Sequence, residues 1–193
     1  MMRQEPDLRG LVRLSFAEPE AGFRAVQGLN LPMDARWMLV AAAVLAGVVL
    51  AYLLPVMAGQ TDEIPSPLTA TAIQAGMNLL AIFLLTHVGR MFGGTGRFED
   101  ALLLVGWLQL LMVGMQAIQV AVMLILPPLG GLVLILAIAA FFWLFSGFTC
   151  ALHGFQSRLL VLVGGFGTLF AVAFVLSFIM IILGIRIPGV GDV

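Results

Sequence analysis

Five apolar runs, each long enough to cross a lipid bilayer, dictate what this chain can fold into. They cover residues 37–57, 68–91, 101–126, 129–152 and 159–185. About 20 residues rising 1.5 Å each span a hydrocarbon core of about 30 Å, so every run suffices with some tilt. Within lipid, backbone N–H and C=O groups must be satisfied inside the protein, and a lone segment does this only as a helix. A soluble domain is excluded by composition. The chain is 62% hydrophobic and 10% charged, whereas soluble domains carry about 25% charged residues. Nine basic and ten acidic residues cannot cover so much apolar surface. The expected fold is all-α: a polytopic membrane protein with five transmembrane helices.

The breaks agree with that reading. "AGQTDEIPSP" (58–67) is polar and carries two prolines, and "PPLGG" (127–131) is a tight turn that makes spans three and four a close antiparallel hairpin. The chain divides into a cytoplasmic N-terminal segment (1–36), a five-span bundle (37–185) and a short tail (186–193). All nine basic residues are arginine, which reflects genomic composition. Arg3, Arg9, Arg13, Arg24 and Arg36 precede span one, Arg90 and Arg97 lie between spans two and three, and Arg158 between spans four and five; only Arg186 falls on the other side. By the positive-inside rule the N-terminus faces the cytoplasm and the C-terminus the opposite side. The first 36 residues lack a continuous apolar core, so span one is expected to be an uncleaved anchor. The single cysteine, Cys150, allows no internal disulfide, and a net charge of −1 gives no reason to expect nucleic acid.

Before span one, Ser15 and Glu18 have capping-box spacing, and Pro19 sits where a first helical turn tolerates a missing N–H. Phe23, Val26 and Leu29 then recur at helical spacing between polar residues. This pattern predicts a short amphipathic helix along the cytoplasmic interface.

"MFGGTGRFEDALLLVGW" (91–107) resembles at first sight a loop that cradles phosphate. The Walker pattern fails, because no lysine and serine or threonine follow at the required offset; the dinucleotide fingerprint fails because Glu99 holds the place of its third glycine. No nucleotide is expected. The glycines Gly93, Gly94 and Gly96 instead end span two through positive φ, with Thr95 helping to organise the turn. Glu99 and Asp100 place negative charge at the start of span three, where the helix dipole favours it. Arg90 and Arg97 hold the turn at the cytoplasmic surface. Together Arg90, Gly93, Gly94, Gly96, Arg97, Phe98 and Glu99 are also a candidate docking surface.

"GGTGRFEDALLLVGW" is similar to the glycine-rich cytoplasmic turn of the Yip family, five-span membrane proteins named for interacting with Ypt/Rab GTPases. "FAEPEAGFRAV" (16–26) resembles the family's proline-then-phenylalanine segment ahead of the membrane. "FWLFSGFTCALHGFQSRLLVL" (142–162) resembles its fourth span, with tryptophan, histidine and a following serine and basic residue. The resemblance runs through nearly the whole chain in order. It implies a fold of five spans, and for eukaryotic members early secretory membranes, GTPase partners and membrane shaping. Their long cytosolic N-terminal region has no counterpart here, so GTPase binding is not carried over. Size, short loops and arginine usage point to a bacterial member in the cytoplasmic membrane. The resemblance implies no catalytic residue.

Polar side chains inside the spans are the remaining candidates. Thr71, Gln74 and Asn78 share one face of span two, and Gln109, Gln116 and Gln119 share one side of span three. Amides are costly in lipid, so they face other helices or a cavity. Interhelical hydrogen bonding and a polar path for a small solute or proton are both open readings. Ser146, Cys150 and His153 share a face of span four, but Ser146 and His153 lie about 10 Å apart along the axis, beyond nucleophile–base reach. The glycine that rhomboid proteases carry two residues before the serine is Leu144 here. His87 and His153 are the only histidines; they lie near the same ends of their spans, as haem ligands do in membrane cytochromes, or they sit in the headgroup layer and bind helix carbonyls. Small residues at Gly106, Gly114, Gly147, Gly154 and 164–167 allow close helix approach. The expected function is a non-catalytic accessory or organising subunit without cofactor or metal. Its expected partners are membrane lipids and other integral membrane proteins or further copies of itself. A transporter or channel component is the alternative, and a haem-binding redox subunit a weaker one.

Overall fold

The computed structural model describes residues 7–60 and 64–182. The end of the fifth apolar run, the tail with Arg186, Arg3 and part of the 58–67 loop lie outside the described residues. All regular structure among the described residues is helical: α1 Leu8–Ala17, α2 Pro19–Gln27, α3 Met33–Met57, α4 Pro67–Met91, α5 Phe98–Ile125, α6 Gly130–His153 and α7 Arg158–Ile182, with one 3-10 turn at Pro127–Leu129. The last five are long and apolar enough to cross a membrane, and they fall on the five predicted runs. The chain is a multi-pass membrane protein.

Local chemistry sets the helix boundaries. The Ser66 hydroxyl accepts from the Thr69 N–H at 3.1 Å, and Pro67 opens α4 where no N–H is needed. Gly93, at φ +85°, turns the chain out of α4 as expected of a glycine past a helix end. Glu99 and Asp100 occupy the first turn of α5, on the favourable side of its dipole. Gly154 closes α6 in the left-handed conformation at φ +75°.

The N-terminal segment contains two helices, not one. Asp7 caps α1 by accepting from the Arg9 N–H, and only Glu18, in a non-helical conformation, separates α1 from α2. The expected Ser15–Glu18 capping box does not form. Ser15 lies inside α1 with no exposed surface, because its hydroxyl is the acceptor for a tryptophan indole from α5. Glu18 makes no side-chain cap bond, while Pro19 does stand at the first position of α2. The apolar face of α2 is turned into the bundle: Phe23 and Val26 are buried, and Phe23 stacks on Phe148 of α6 at 5.4 Å between ring centroids. Leu29, just past α2, is exposed.

The core sits at one end of the bundle. Phe23, Val26, Val40, Leu102–Leu104, Leu108, Leu144, Phe148 and Leu152 form a contiguous buried cluster. Arg36, Arg90 and Arg158 all bond within this end. The largest helix pair is α3 against α5, followed by the α5–α6 hairpin, whose turn brings Gly130 against Met123. By contrast, α7 buries only Val161 and packs on α6 alone among the helices with substantial contact.

Candidate functional site

The glycine turn encloses a histidine. His153, at the last position of α6, is 2% exposed. A Cβ built on Gly89, Gly94 or Gly96 would collide with its imidazole, so three glycines from the end of α4 and the following turn are needed to let the ring in. The Gly96 N–H donates to His153 Nδ1 at 3.1 Å, which makes Nδ1 the acceptor; Nε2 therefore carries the proton and donates to the Leu85 carbonyl at 3.0 Å. The Thr95 N–H donates to the His153 carbonyl, so Thr95 organises the turn through its backbone. Gly93 and Gly94 donate to the carbonyls of Arg90 and Gly89. Every amide from Gly93 to Gly96 is thus engaged within the protein, leaving none to cradle a phosphate. The Arg90 guanidinium donates to the Gly96 carbonyl at 2.9 Å, and Phe155 stacks on the far side of the imidazole.

Around this turn, charged and indole groups tie the N-terminal helices to the spans. Arg36 donates to the Leu31 and Glu99 carbonyls and pairs with Asp100 at 3.1 Å, clamping the starts of α3 and α5 together. The Arg158 guanidinium donates to Glu20 of α2 at 3.0 Å and lies 4.5 Å from the Trp143 ring centre. Trp143 donates its indole N–H to the Phe16 carbonyl, and Trp107 donates to Ser15 Oγ at 3.0 Å. Gly106 brings α5 against Leu39 and Val40 of α3, while Gly147 receives Pro19 of α2. Arg36, Glu20 and the two indoles were missed as anchors from sequence. A lone indole N–H within an apolar run was the available signal, since burial obliges it to find an acceptor.

The predicted docking residues separate into two groups. Gly94 and Gly96 enclose the histidine, Arg90 braces the Gly96 carbonyl and Gly93 turns the chain beside them, whereas Arg97, Phe98 and Glu99 lie outside this arrangement, with Arg97 paired to Glu99 and Phe98 beside Trp37.

The intramembrane amides also divide. Thr71 bonds back to the Pro67 carbonyl of its own helix, and Gln74 is half-buried. Asn78 and Gln109 line one cavity of about 190 Å3 between α4, α5 and α6. Gln116 and Gln119 line a second, more open one of about 340 Å3 between α5 and α6. Gln116 also donates to the Gly47 carbonyl of α3 at 3.2 Å. Asn78 is buried, and its Nδ2 has no hydrogen-bond partner.

No reactive pair is assembled from the remaining candidates. Ser146 Oγ donates to the Trp143 carbonyl, and Cys150 is buried. Both nitrogens of His153 are engaged, and His87 lies exposed with Nδ1 against the Phe83 carbonyl. A ligating imidazole presents a free nitrogen to the iron, and in this arrangement both nitrogens of His153 are hydrogen-bonded.

Neither a curated protein nor a solved structure matches this chain. The Yip1 domain matches residues 13–185, from within α1 past the end of α7. That stretch takes in the glycine turn, the enclosed histidine and the indole anchors of α1. The chain belongs to the Yip1 domain family.

Proposed function

We propose that this protein is a non-catalytic accessory or organising subunit for other integral membrane proteins or for the bilayer, in a bacterial cytoplasmic membrane with its N-terminus in the cytoplasm. One observation carries the reading. At the arginine end His153, Trp107 and Arg158 spend their polar groups on bonds between helices or from helix to turn, while α7 presents an apolar surface on nearly every side. Such a bundle has a fixed scaffold at one end and a broad lipid-facing wall for a partner or lipid. The arginine distribution supports the orientation. Extraction of the tagged protein in mild detergent at native expression, followed by mass spectrometry, tests the role: a stoichiometric membrane partner is the expected result, and recovery of the protein with only itself and lipid would overturn the accessory reading.

The amide-lined cavities favour a second reading, a transporter or channel component. Saturable solute flux in proteoliposomes, lost in Asn78→Leu, is its expected signature. Absence of flux for neutral and charged small solutes removes it.

A further inference from the structure

Asn78 poses a problem that the accessory role does not solve. It lies near the middle of α4, and Gln109 sits about 17 Å along α5 from its start, so the two amides meet at mid-depth in the bundle. Asn78 is 8% exposed, and its Nδ2 donor has no acceptor. An unpaired amide donor in a low-dielectric site is strongly unfavourable. The rest of the cavity wall is hydrocarbon and aromatic, including Leu85, Leu104, Phe141 and Phe145.

Three kinds of occupant can be compared. An acyl chain fills the space but offers no acceptor. A water molecule satisfies Asn78 and Gln109 but leaves most of a cavity of about 190 Å3 facing hydrocarbon. A phospholipid ester or headgroup has its oxygens at the bilayer surface, far from mid-depth. The space, the depth and the free donor are satisfied together by an uncharged molecule dissolved in the lipid phase.

We propose that the Asn78–Gln109 cavity binds an uncharged, lipid-soluble molecule that presents one carbonyl or hydroxyl oxygen to Asn78 Nδ2 and an apolar or aromatic body to Phe141 and Phe145. The adjoining cavity shares Met112 and Phe141 with this one. It gives the ligand a lateral route and room for a tail between α5 and α6.

Benzophenone has such an oxygen and two aromatic rings, and on irradiation it inserts into neighbouring C–H bonds. The test photolabels the full chain in phosphatidylcholine–phosphatidylglycerol nanodiscs and maps the adducts by peptide mass spectrometry. Two competitors share the same body: benzhydrol carries an oxygen, and diphenylmethane carries none. The expected result is saturable labelling around Met112 and 141–145, with benzhydrol competing about tenfold better than diphenylmethane, the worth of one hydrogen bond. In Asn78→Ala, which removes the donor and enlarges the cavity, that preference is expected to vanish. Protection of Cys150 from a maleimide confirms that the variant is folded. Equal competition in the wild type would overturn the proposal, as would an unchanged preference in Asn78→Ala. Labelling that never saturates and falls equally on α7 would show only partition into lipid, and no labelling of the cavity would leave it to water; either result also overturns it.

Discussion

The two ends of the bundle are built on different principles. At the arginine end, Trp107 and Trp143 each find an acceptor, His153 uses both ring nitrogens, and Arg36 reaches two carbonyls and a carboxylate. Leu102, Leu103 and Leu104 are fully buried there, with packing like that of a soluble domain. Toward the other end, Ile118, Leu124, Ile125, Leu132 and Ile135 are exposed, and the cavity lined by Gln116 and Gln119 opens between α5 and α6, while the Asn78 cavity lies at mid-depth between the two ends. The contrast follows from the solvent. Where α1 and α2 cover the spans, burial removes apolar surface from water and the hydrophobic effect contributes. Between lipid-facing helices it contributes little, because acyl chains are as apolar as leucine. The arginine end therefore holds the fold, and the other end has room for ligands or partners.

The sharpest way to break this comparison is to place the same kind of side chain at each end. Gly96→Val drives its branches into His153 and strains the bond from the Gly96 N–H. Overpacking costs about 3 kcal/mol and the weakened hydrogen bond about 1 kcal/mol. For a chain of this size that is a fall in melting temperature of roughly 10 °C. Cys150, the only cysteine and a buried one, reports it directly as the temperature at which a thiol-reactive dye gains access. Gly114→Ala and Gly131→Ala, farther from the arginine end, meet nothing within 4 Å, and both are expected to leave that temperature unchanged. Equal losses at the two ends would dissolve the distinction.

The second-largest effect is expected from emptying the glycine enclosure. His153→Ala removes a buried ring and leaves the Gly96 N–H without an acceptor. Together these cost about 2–4 kcal/mol. Hydrogen exchange should rise first at Gly96, whose amide loses its acceptor, and less at the neighbouring Thr95, whose bond to the backbone carbonyl of residue 153 is kept. Exchange confined to α7 would show that the turn is held by something other than the histidine.

The spans were legible because lipid imposes a length and a composition that no other element shares. The end of α4 was legible because only glycine accepts φ +85° without strain at Gly93. What enclosed what was not legible. Gly89 and Gly96 flank His153 only after the chain has crossed the membrane twice more, and no local period encodes that meeting. In α1, Leu8, Leu11, Val12 and Phe16 have helical spacing, but Gly10 and two arginines interrupt the run and hide it. Ser15 shows the cost of a local rule: its spacing to Glu18 matches a capping box, yet the indole of Trp107, 92 residues away, determines its role.

Trp107 and Ser15 offer a measurement of how firmly α1 is held. Trp107→Phe removes the donor and keeps most of the ring, and Ser15→Ala removes the acceptor. Each single change is expected to cost about 1–2 kcal/mol, since it leaves one buried polar group unpaired. The double variant should cost less than the sum, with a coupling of about 1 kcal/mol, read from dye access to Cys150 under denaturant. Strict additivity would mean that the two groups do not bond.

The smallest effect belongs to the other end and tests whether its polar groups are structural at all. Gln116 donates to the Gly47 carbonyl, which already lies within the backbone ladder of α3, so Gln116→Leu removes a bond without orphaning its partner. Polar contacts between membrane helices average about 0.6 kcal/mol, and an added apolar contact with lipid offsets part of that. The expected change in Cys150 protection is therefore within error of the wild type, even though Gln116 lies well inside α5. A loss as large as that of Trp107→Phe would mean that the α3–α5 pair is fastened along its whole length. The division between a packed end and an open one would then have to be redrawn as a difference in burial alone.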